Sequence, residues 1–123
     1  MAAATAQETT THRWYTRPVF FVTDVKRALS FYVDVLGFKK DWHSNDGQGK
    51  VSQVSHGECE IILCEDGKRT DRGRLFIELT QDGFADLSRE IVERSIPHKQ
   101  AWWGYDVIQI DDPDGNELLF PYE

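Results

Sequence analysis

The fold is decided by residues 17–38, which read RPVFFVTDVKRALSFYVDVLGF. The first six are mostly β-branched and aromatic, which predicts a strand, and Pro18 near its start is tolerated there. Thr23 or Asp24 then offers a helix N-cap. Apolar residues from Val25 to Leu36 follow at helical spacing, and Gly37 suits the position after a helix end. This stretch therefore predicts a strand followed by a helix.

The same order of elements occurs twice along the chain. Further strands are predicted at 38–43, 51–55 and 58–64, and a charged loop at 65–73 follows. A second set then comprises a strand at 74–79, a helix capped by Asp82 and ended by Pro97, and strands at 98–102, 106–110 and 117–120. Between the last two strands, residues 112–116 have tight-turn composition, with Gly115 and Asn116 suited to positive φ. A β-α-β-β-β order that repeats after roughly 55–60 residues predicts an α+β fold of two tandem modules.

Composition narrows the possible partners. A chain of 123 residues corresponds to one domain, and its net charge of −7 disfavours nucleic acid and favours cationic ligands. No apolar stretch approaches the length of a membrane helix, and residues 1–12 lack the apolar segment of a secretory signal. Cys59 and Cys64 would point to opposite faces of one strand, so we expect unpaired thiols in a reducing cytoplasm.

Two motifs point to a known family. Residues 18–32 with Leu36-Gly37-Phe38 resemble the first module of glyoxalase and bleomycin-resistance proteins. Residues 112–120, DPDGNELLF, resemble the closing turn and strand of the same group, and a Trp103-Gly104 pair precedes them as it commonly does there. The resemblance covers residues 17–123 and implies a vicinal-oxygen-chelate fold with modules at about 17–65 and 74–123. Residues 1–16 would form an N-terminal arm.

The resemblance also locates a metal site that this sequence does not reproduce. Glyoxalases, extradiol dioxygenases and related transferases hold a divalent metal at four strand positions, two in each module. Carried over, these positions are Arg17, Ile62, Arg74 and Leu119. Two are cationic and two have no donor atom, and neighbouring Glu60 would supply only one ligand. We therefore expect neither a metal nor another cofactor.

Bleomycin-resistance proteins are the similar branch that lacks the metal. The resemblance implies a homodimer with a swapped arm that sequesters a bulky, cationic aromatic antibiotic in clefts between subunits, without catalysis. The segment after Trp103-Gly104 departs from that branch, because it reads Tyr105-Asp-Val-Ile108 where relatives often carry Arg-Glu-Phe. A metal-dependent enzyme of the same superfamily and a binder of an anionic metabolite stay open as alternatives.

The candidate ligand-binding residues are aromatic, acidic or placed on the strand faces that the resemblance assigns to the cavity. They are Trp42, Glu60, Ile62, Arg74, Phe76, Glu78, Trp102 and Trp103. Indoles stack on planar ligands and attract cations, and carboxylates complement a cationic ligand.

Structural roles remain open for several of these residues. If Trp102 and Trp103 lie in a strand, one faces inward and the other outward, and they then serve the core and a dimer interface. Trp42 is expected on the same strand face as Phe38. The charged residues would form Arg74–Glu78 or Arg17–Glu117 ion pairs, whereas Arg17 and Arg74 together would favour an anion. No spacing of nucleophile and base predicts a catalytic residue.

Overall fold

The computed structural model describes residues 14–44, 50–69 and 71–122. Most of the predicted arm, part of the turn at 44–49 and one position of the charged loop lie outside these ranges. The elements are β1 (Val19–Val22), α1 (Val25–Leu29), a π-helical segment (Ser30–Val35), β2 (Lys39–His43), β3 (Val51–His56), β4 (Cys59–Glu65), β5 (Arg74–Phe76), α2 (Gln81–Arg94), β6 (Lys99–Trp102), β7 (Asp106–Asp111) and β8 (Glu117–Pro121). This order confirms the predicted repeat of the β-α-β-β-β unit. No helix within these ranges is both long and apolar enough to span a membrane.

Two four-stranded sheets have the same topology. Their strand orders are β1-β4-β3-β2 and β5-β8-β7-β6, with the first pair parallel and the others antiparallel. The pairing register repeats as well. Val19 lies opposite Ile62 in the first sheet, and their equivalents in the repeat, Phe76 and Leu119, lie opposite each other in the second. The α+β fold of two modules is thus confirmed, and the structure adds that the two modules share their residue pairing.

The helices depart from prediction in two places. Asp24 caps α1 as expected, but the helix widens from Ser30, where Leu36 N donates to Phe31 O at 3.1 Å, a π-type bond. The N-cap of α2 is Thr80, whose hydroxyl accepts from Gly83 N at 3.0 Å, so the predicted cap Asp82 lies in the first turn instead. The first N–H groups of a helix have no partner within the helix. A threonine one residue before the helix can accept a hydrogen bond from one of them, whereas an aspartate within the first turn cannot.

A β-bulge overturns the expectation that Phe38 and Trp42 lie on the same face of their strand. The register shifts between Lys40 and Trp42, so Lys40 lies opposite Val54 whereas Trp42 lies opposite Gln53. The extra residue moves Trp42 to the other face of the sheet. Phe38 is buried against Tyr32 in the core, and Trp42 is 41% exposed.

One core serves both modules. Its buried members come from the inner faces of the two sheets and from both helices, and they include Phe20, Val54, Ile61, Ile91, Ile110 and Leu118. The close approach of the modules needs a glycine at position 73, because a Cβ there would lie 2.5 Å from the ring of Phe20. The opposite faces of the sheets remain available for other contacts.

A buried polar cluster joins the modules at this core. The hydroxyl of Tyr32 donates to Asp112 Oδ2 at 3.0 Å, and Asn116 Nδ2 donates to the same oxygen at 2.9 Å. Asp112 Oδ1 accepts from the backbone N–H groups of Asp114 and Asn116. Desolvation by burial raises the pKa of Asp112, and its bonds to Asn116, Asp114 and Tyr32 partly offset that rise. The cluster links the first helix to the last turn.

Replacing Tyr32 by Phe tests this link. Loss of the hydroxyl should lower the free energy of unfolding by about 1–2 kcal/mol at neutral pH. It should also raise the pKa of Asp112 further, because the Tyr32 bond holds that pKa down. The destabilisation should therefore be smaller in acid, where Asp112 is protonated in both the variant and the unaltered protein. It should grow as the pH rises through the pKa that Asp112 has in the folded protein. Denaturant unfolding measured over a range of pH gives this difference in stability. Tyr105→Phe, which removes a more exposed hydroxyl, is the matched control. A loss of stability that does not depend on pH would contradict the proposed bond between Tyr32 and Asp112.

Candidate functional site

The outer face of the second sheet carries an ion pair. Arg74 on β5 and Glu117 on β8 are direct cross-strand neighbours, and Arg74 Nε donates to Glu117 Oε1 at 3.0 Å. Both predicted ion pairs, Arg74–Glu78 and Arg17–Glu117, are therefore wrong in their partners. The parallel register sets the pairing, since it places Glu117 beside Arg74 while β5 ends before Glu78.

Three aromatic rings gather beside this ion pair. The ring of Phe76 lies edge-on to Trp103 at 5.4 Å between centroids and at 6.3 Å from Tyr105. The guanidinium of Arg74 lies 5.1 Å from the centroid of Trp103. All three rings are between 39% and 47% exposed, an unusual arrangement for large apolar side chains unless they meet a ligand or partner. We call Phe76, Trp103 and Tyr105 the aromatic platform.

A tight bend brings Trp103 and Tyr105 to the platform. Strand β6 ends at Trp102, Gly104 has a φ of 85°, and Trp103 N donates to Tyr105 O at 3.0 Å. Trp103 therefore does not continue the strand, so the expected alternation of inward and outward indoles does not apply. Trp102 is 71% exposed and lies outside the platform.

A surface cavity of about 500 Å³ adjoins the platform through Tyr105. The other residues that line it are Glu78, Leu79, Thr80, Gln81, Phe84, Pro121 and Tyr122. The rings of Phe84 and Tyr122 stack at 5.3 Å. Glu78 is the single charged side chain in this lining, so the cavity combines aromatic surface with one negative charge. Its volume is in the range of ordinary small-molecule sites.

The outer face of the first sheet carries a polar network instead of a platform. Arg17 donates to Gln53 Oε1 at 2.8 Å, and Gln53 Nε2 donates to Asp41 Oδ2 at 2.9 Å. Ser55 donates to the other oxygen of Asp41. The bond from Gln53 is the main cause that lowers the pKa of Asp41. Desolvation is the next largest effect and raises this pKa, whereas the Ser55 bond and the charge of Lys39 lower it further. Asp41 therefore stays ionised.

Glu60 and Ile62 share this face, as predicted, with Ile62 opposite both Val19 and Gln53. Glu60 Oε1 accepts from the hydroxyl of Tyr15 at 2.9 Å, and this bond is the leading cause that raises the pKa of Tyr15. The guanidinium of Arg17 lies 5.7 Å from the Tyr15 ring. The described end of the arm thus lies against the first sheet.

Arg17 and Arg74 hold equivalent places in the repeat but have different partners. Arg17 bonds to the neutral amide of Gln53, whereas Arg74 bonds to the carboxylate of Glu117. Each guanidinium is engaged on its own sheet, and no contact in the described ranges joins the two. This arrangement gives no support to a shared anion site.

The four positions that the family resemblance assigns to a metal site have side chains that do not fit a metal. Arg17 and Arg74 present cations that already have hydrogen-bond partners, and Ile62 and Leu119 present hydrocarbon. Leu119 is fully buried. Within the described ranges, no group of three His, Cys, Asp or Glu side chains is placed to hold a metal ion.

Sequence reasoning missed several residues of these faces. Tyr105 joins the platform to the cavity, and its only sequence signal is its position directly after the Trp103-Gly104 pair. Asp41 and Gln53 were missed because the bulge hides the face that they share. Of the eight candidates, Arg74, Phe76, Glu78 and Trp103 gather near one site, while Glu60, Ile62 and Trp42 lie on the other sheet.

Comparisons with known proteins agree with this architecture. The model of the Glyoxalase/Bleomycin resistance protein/Dioxygenase superfamily matches residues 14–120. A comparison with the curated proteins finds no match.

Similar solved structures come from different branches of the superfamily. A glyoxalase/bleomycin resistance protein/dioxygenase from Alicyclobacillus acidocaldarius is 17% identical with a TM-score of 0.71, over 89% of this chain and 91% of that one. The lactoylglutathione lyase of Agrobacterium tumefaciens is 16% identical with a TM-score of 0.68, over 89% and 94%. The bleomycin-binding protein of bleomycin-producing Streptomyces verticillus, complexed with copper(II)-bleomycin, is 20% identical with a TM-score of 0.67, over 90% and 97%.

At these identities the solved structures establish the fold, and the family model establishes membership. The chain belongs to the glyoxalase/bleomycin resistance protein/dioxygenase superfamily.

Proposed function

We propose that this protein binds and sequesters a bulky, cationic aromatic antibiotic of the bleomycin type, without catalysis. The observation that carries the proposal is that Tyr105 belongs both to the aromatic platform and to a cavity whose single charged residue is Glu78. A planar ligand would stack on the exposed rings, and its positive charge would approach Glu78. The net charge of −7 would draw such a ligand from a distance.

The cavity suits one part of a large ligand better than the whole of it. It is a surface cavity of about 500 Å³ that shares Tyr105 with the platform, so a bulky compound would extend from it across the outer face of the second sheet. Arg74 already lies near Trp103 and is neutralised by Glu117, so it adds little repulsion for a cationic ligand. The similar fold of the Streptomyces verticillus bleomycin-binding protein, which is complexed with copper(II)-bleomycin, supports this proposal.

The proposal that the protein binds its ligand without catalysing a reaction rests on the chemistry of the cysteine and of the four strand positions described above. Cys59 is a poor nucleophile, because burial and, to a smaller extent, the charge of Glu60 raise the pKa of its thiol. Arg17, Ile62, Arg74 and Leu119 do not fit the metal of the catalytic branches, as described above. Sequestration needs tight binding and sufficient protein, but no turnover.

We further propose that the protein acts as a cytoplasmic homodimer. The free thiols of Cys59 and Cys64 suit a reducing compartment. Trp14 and Tyr15, at the described end of the arm, are 96% and 70% exposed, and a second subunit would cover them. A cleft between subunits would also enlarge the contact area for a bulky drug.

Calorimetric titration with copper-free bleomycin tests the ligand. Replacing Trp103 by Ala should weaken binding by about tenfold, because it removes a central stacking surface of the platform. Replacing the adjacent Trp102 by Ala is the matched comparison and should have a smaller effect, since that indole lies outside the platform. Absence of heat with the unaltered protein at tens of micromolar ligand would remove bleomycin as the ligand.

The charge of Glu78 gives a second test. Glu78→Gln should weaken the binding of a cationic ligand by about two- to fivefold, with a smaller loss at high salt because screening already reduces the attraction. Glu93→Gln removes the same charge from an exposed position on α2 and serves as control. Equal effects of the two changes would mean that only net charge matters and that Glu78 does not contact the ligand.

Metal analysis distinguishes the binder from a metal-dependent enzyme of the superfamily. Protein purified without chelator should contain far less than one equivalent of nickel, zinc, manganese or iron, because the four strand positions supply no adequate ligand set. Mass spectrometry of the intact protein and elemental analysis give this ratio. A stoichiometric metal that survives dialysis would overturn the proposal of binding without catalysis.

A further inference from the structure

A second, smaller cavity lies between the two modules and is partly open to solvent. Its volume is about 170 Å³, and it is more enclosed than the cavity beside the platform. Its walls come from the inner faces of both sheets, from the end of the first helical segment and from α2 with its preceding segment, and they include Leu36, Phe38, Cys59, Leu87 and Phe120. We call it the inner cavity. No residue of the aromatic platform lines the inner cavity, although Leu79 lines both cavities.

The size of the inner cavity limits what it can hold. An apolar space of about 150 Å³ accommodates a benzene ring, so the buried part of this cavity takes a single ring, and a short substituent can reach its open side. It is too small for a drug-sized compound, which needs roughly 300 Å³ or more. Its ligand is therefore different from the one proposed for the platform.

The charged groups at the inner cavity favour a cation. Asp86 and Glu90 lie one turn apart on α2 and both line it, together with His56, whereas no Lys or Arg belongs to the lining. Glu90 Oε1 is 3.9 Å from Arg94, which is longer than a hydrogen bond, and the same guanidinium nitrogen donates to Val35 O at 3.1 Å. The Glu90 carboxylate thus keeps acceptor capacity for a ligand. Asp86 pairs with Arg89 at 3.0 Å.

We propose that the inner cavity binds a small primary amine that carries one aromatic ring, with the ring among the apolar side chains and the ammonium group at Glu90. The ring replaces empty apolar volume, and the ammonium donates to a carboxylate on the rim. This site is independent of the proposed function at the platform.

Thiol protection provides a direct test, because the two cysteines lie on opposite faces of β4. Cys59 lines the inner cavity, whereas Cys64 does not. In a Cys64→Ser variant, the reaction of Cys59 with dithiodipyridine is followed at mildly alkaline pH. Saturating phenylethylamine should slow this reaction by about fivefold or more, and phenylethanol at the same concentration should slow it much less. An unchanged rate, or equal protection by both compounds, would overturn the proposal.

Variants locate the binding. Leu87→Phe fills the cavity and should abolish protection, whereas Val92→Phe enlarges an exposed residue of the same helix and should leave protection intact. Glu90→Gln should reduce the preference for the amine over the alcohol. If Leu87→Phe fails to fold, the Glu90→Gln comparison decides, and an unaltered preference there would contradict the assigned contact.

Discussion

The buried carboxylate of Asp112 is the interaction on which the joining of the two modules depends. It accepts from Tyr32, from the side chain of Asn116 and from two backbone N–H groups of its own turn. Asn116 also donates to Phe21 O in β1 and accepts from Gly73 N. Without these bonds the helix of the first module and the closing turn of the second would each bury polar groups unpaired, at a cost that few contacts could offset.

This junction determines which faces of the sheets stay open. Because both sheets contribute their inner faces to one core, their outer faces are left to carry polar and aromatic groups. The repeat gives these outer faces the same register, but their chemistry differs. Arg17 reaches Gln53 on one sheet, while Arg74 reaches Glu117 and lies beside Trp103 on the other. The two faces are therefore suited to different contacts.

Local patterns predict the fold well and the site only partly. The strand–helix unit at 17–38 and the turn at 112–116 depend on apolar spacing, caps and a glycine at positive φ, all of which act over a few residues. The position of Trp42 depends on a bulge, which no pattern in residues 38–43 reveals, because alternation assumes an unbroken register. The partner of Arg74 depends on a parallel pairing between strands that are far apart in the chain. Glu78 was grouped with Arg74 and Phe76 because β5 was predicted to continue, whereas the structure ends that strand at Phe76.

The early end of β5 has a consequence for the symmetry of the fold. Its counterpart β1 continues for three residues beyond Val19, the equivalent of Phe76, and all of them pair with β4. After Phe76, the backbone N–H of Ile77 makes one more hydrogen bond to Leu119, and the chain then leaves the sheet. The next residues, Glu78, Leu79 and Thr80, line the cavity beside Tyr105. A duplicated fold would ordinarily offer two equivalent sites. Here the shortened strand breaks that symmetry, so within the described ranges the segment after β5 lines a cavity of this kind while the continued strand β1 stays in its sheet.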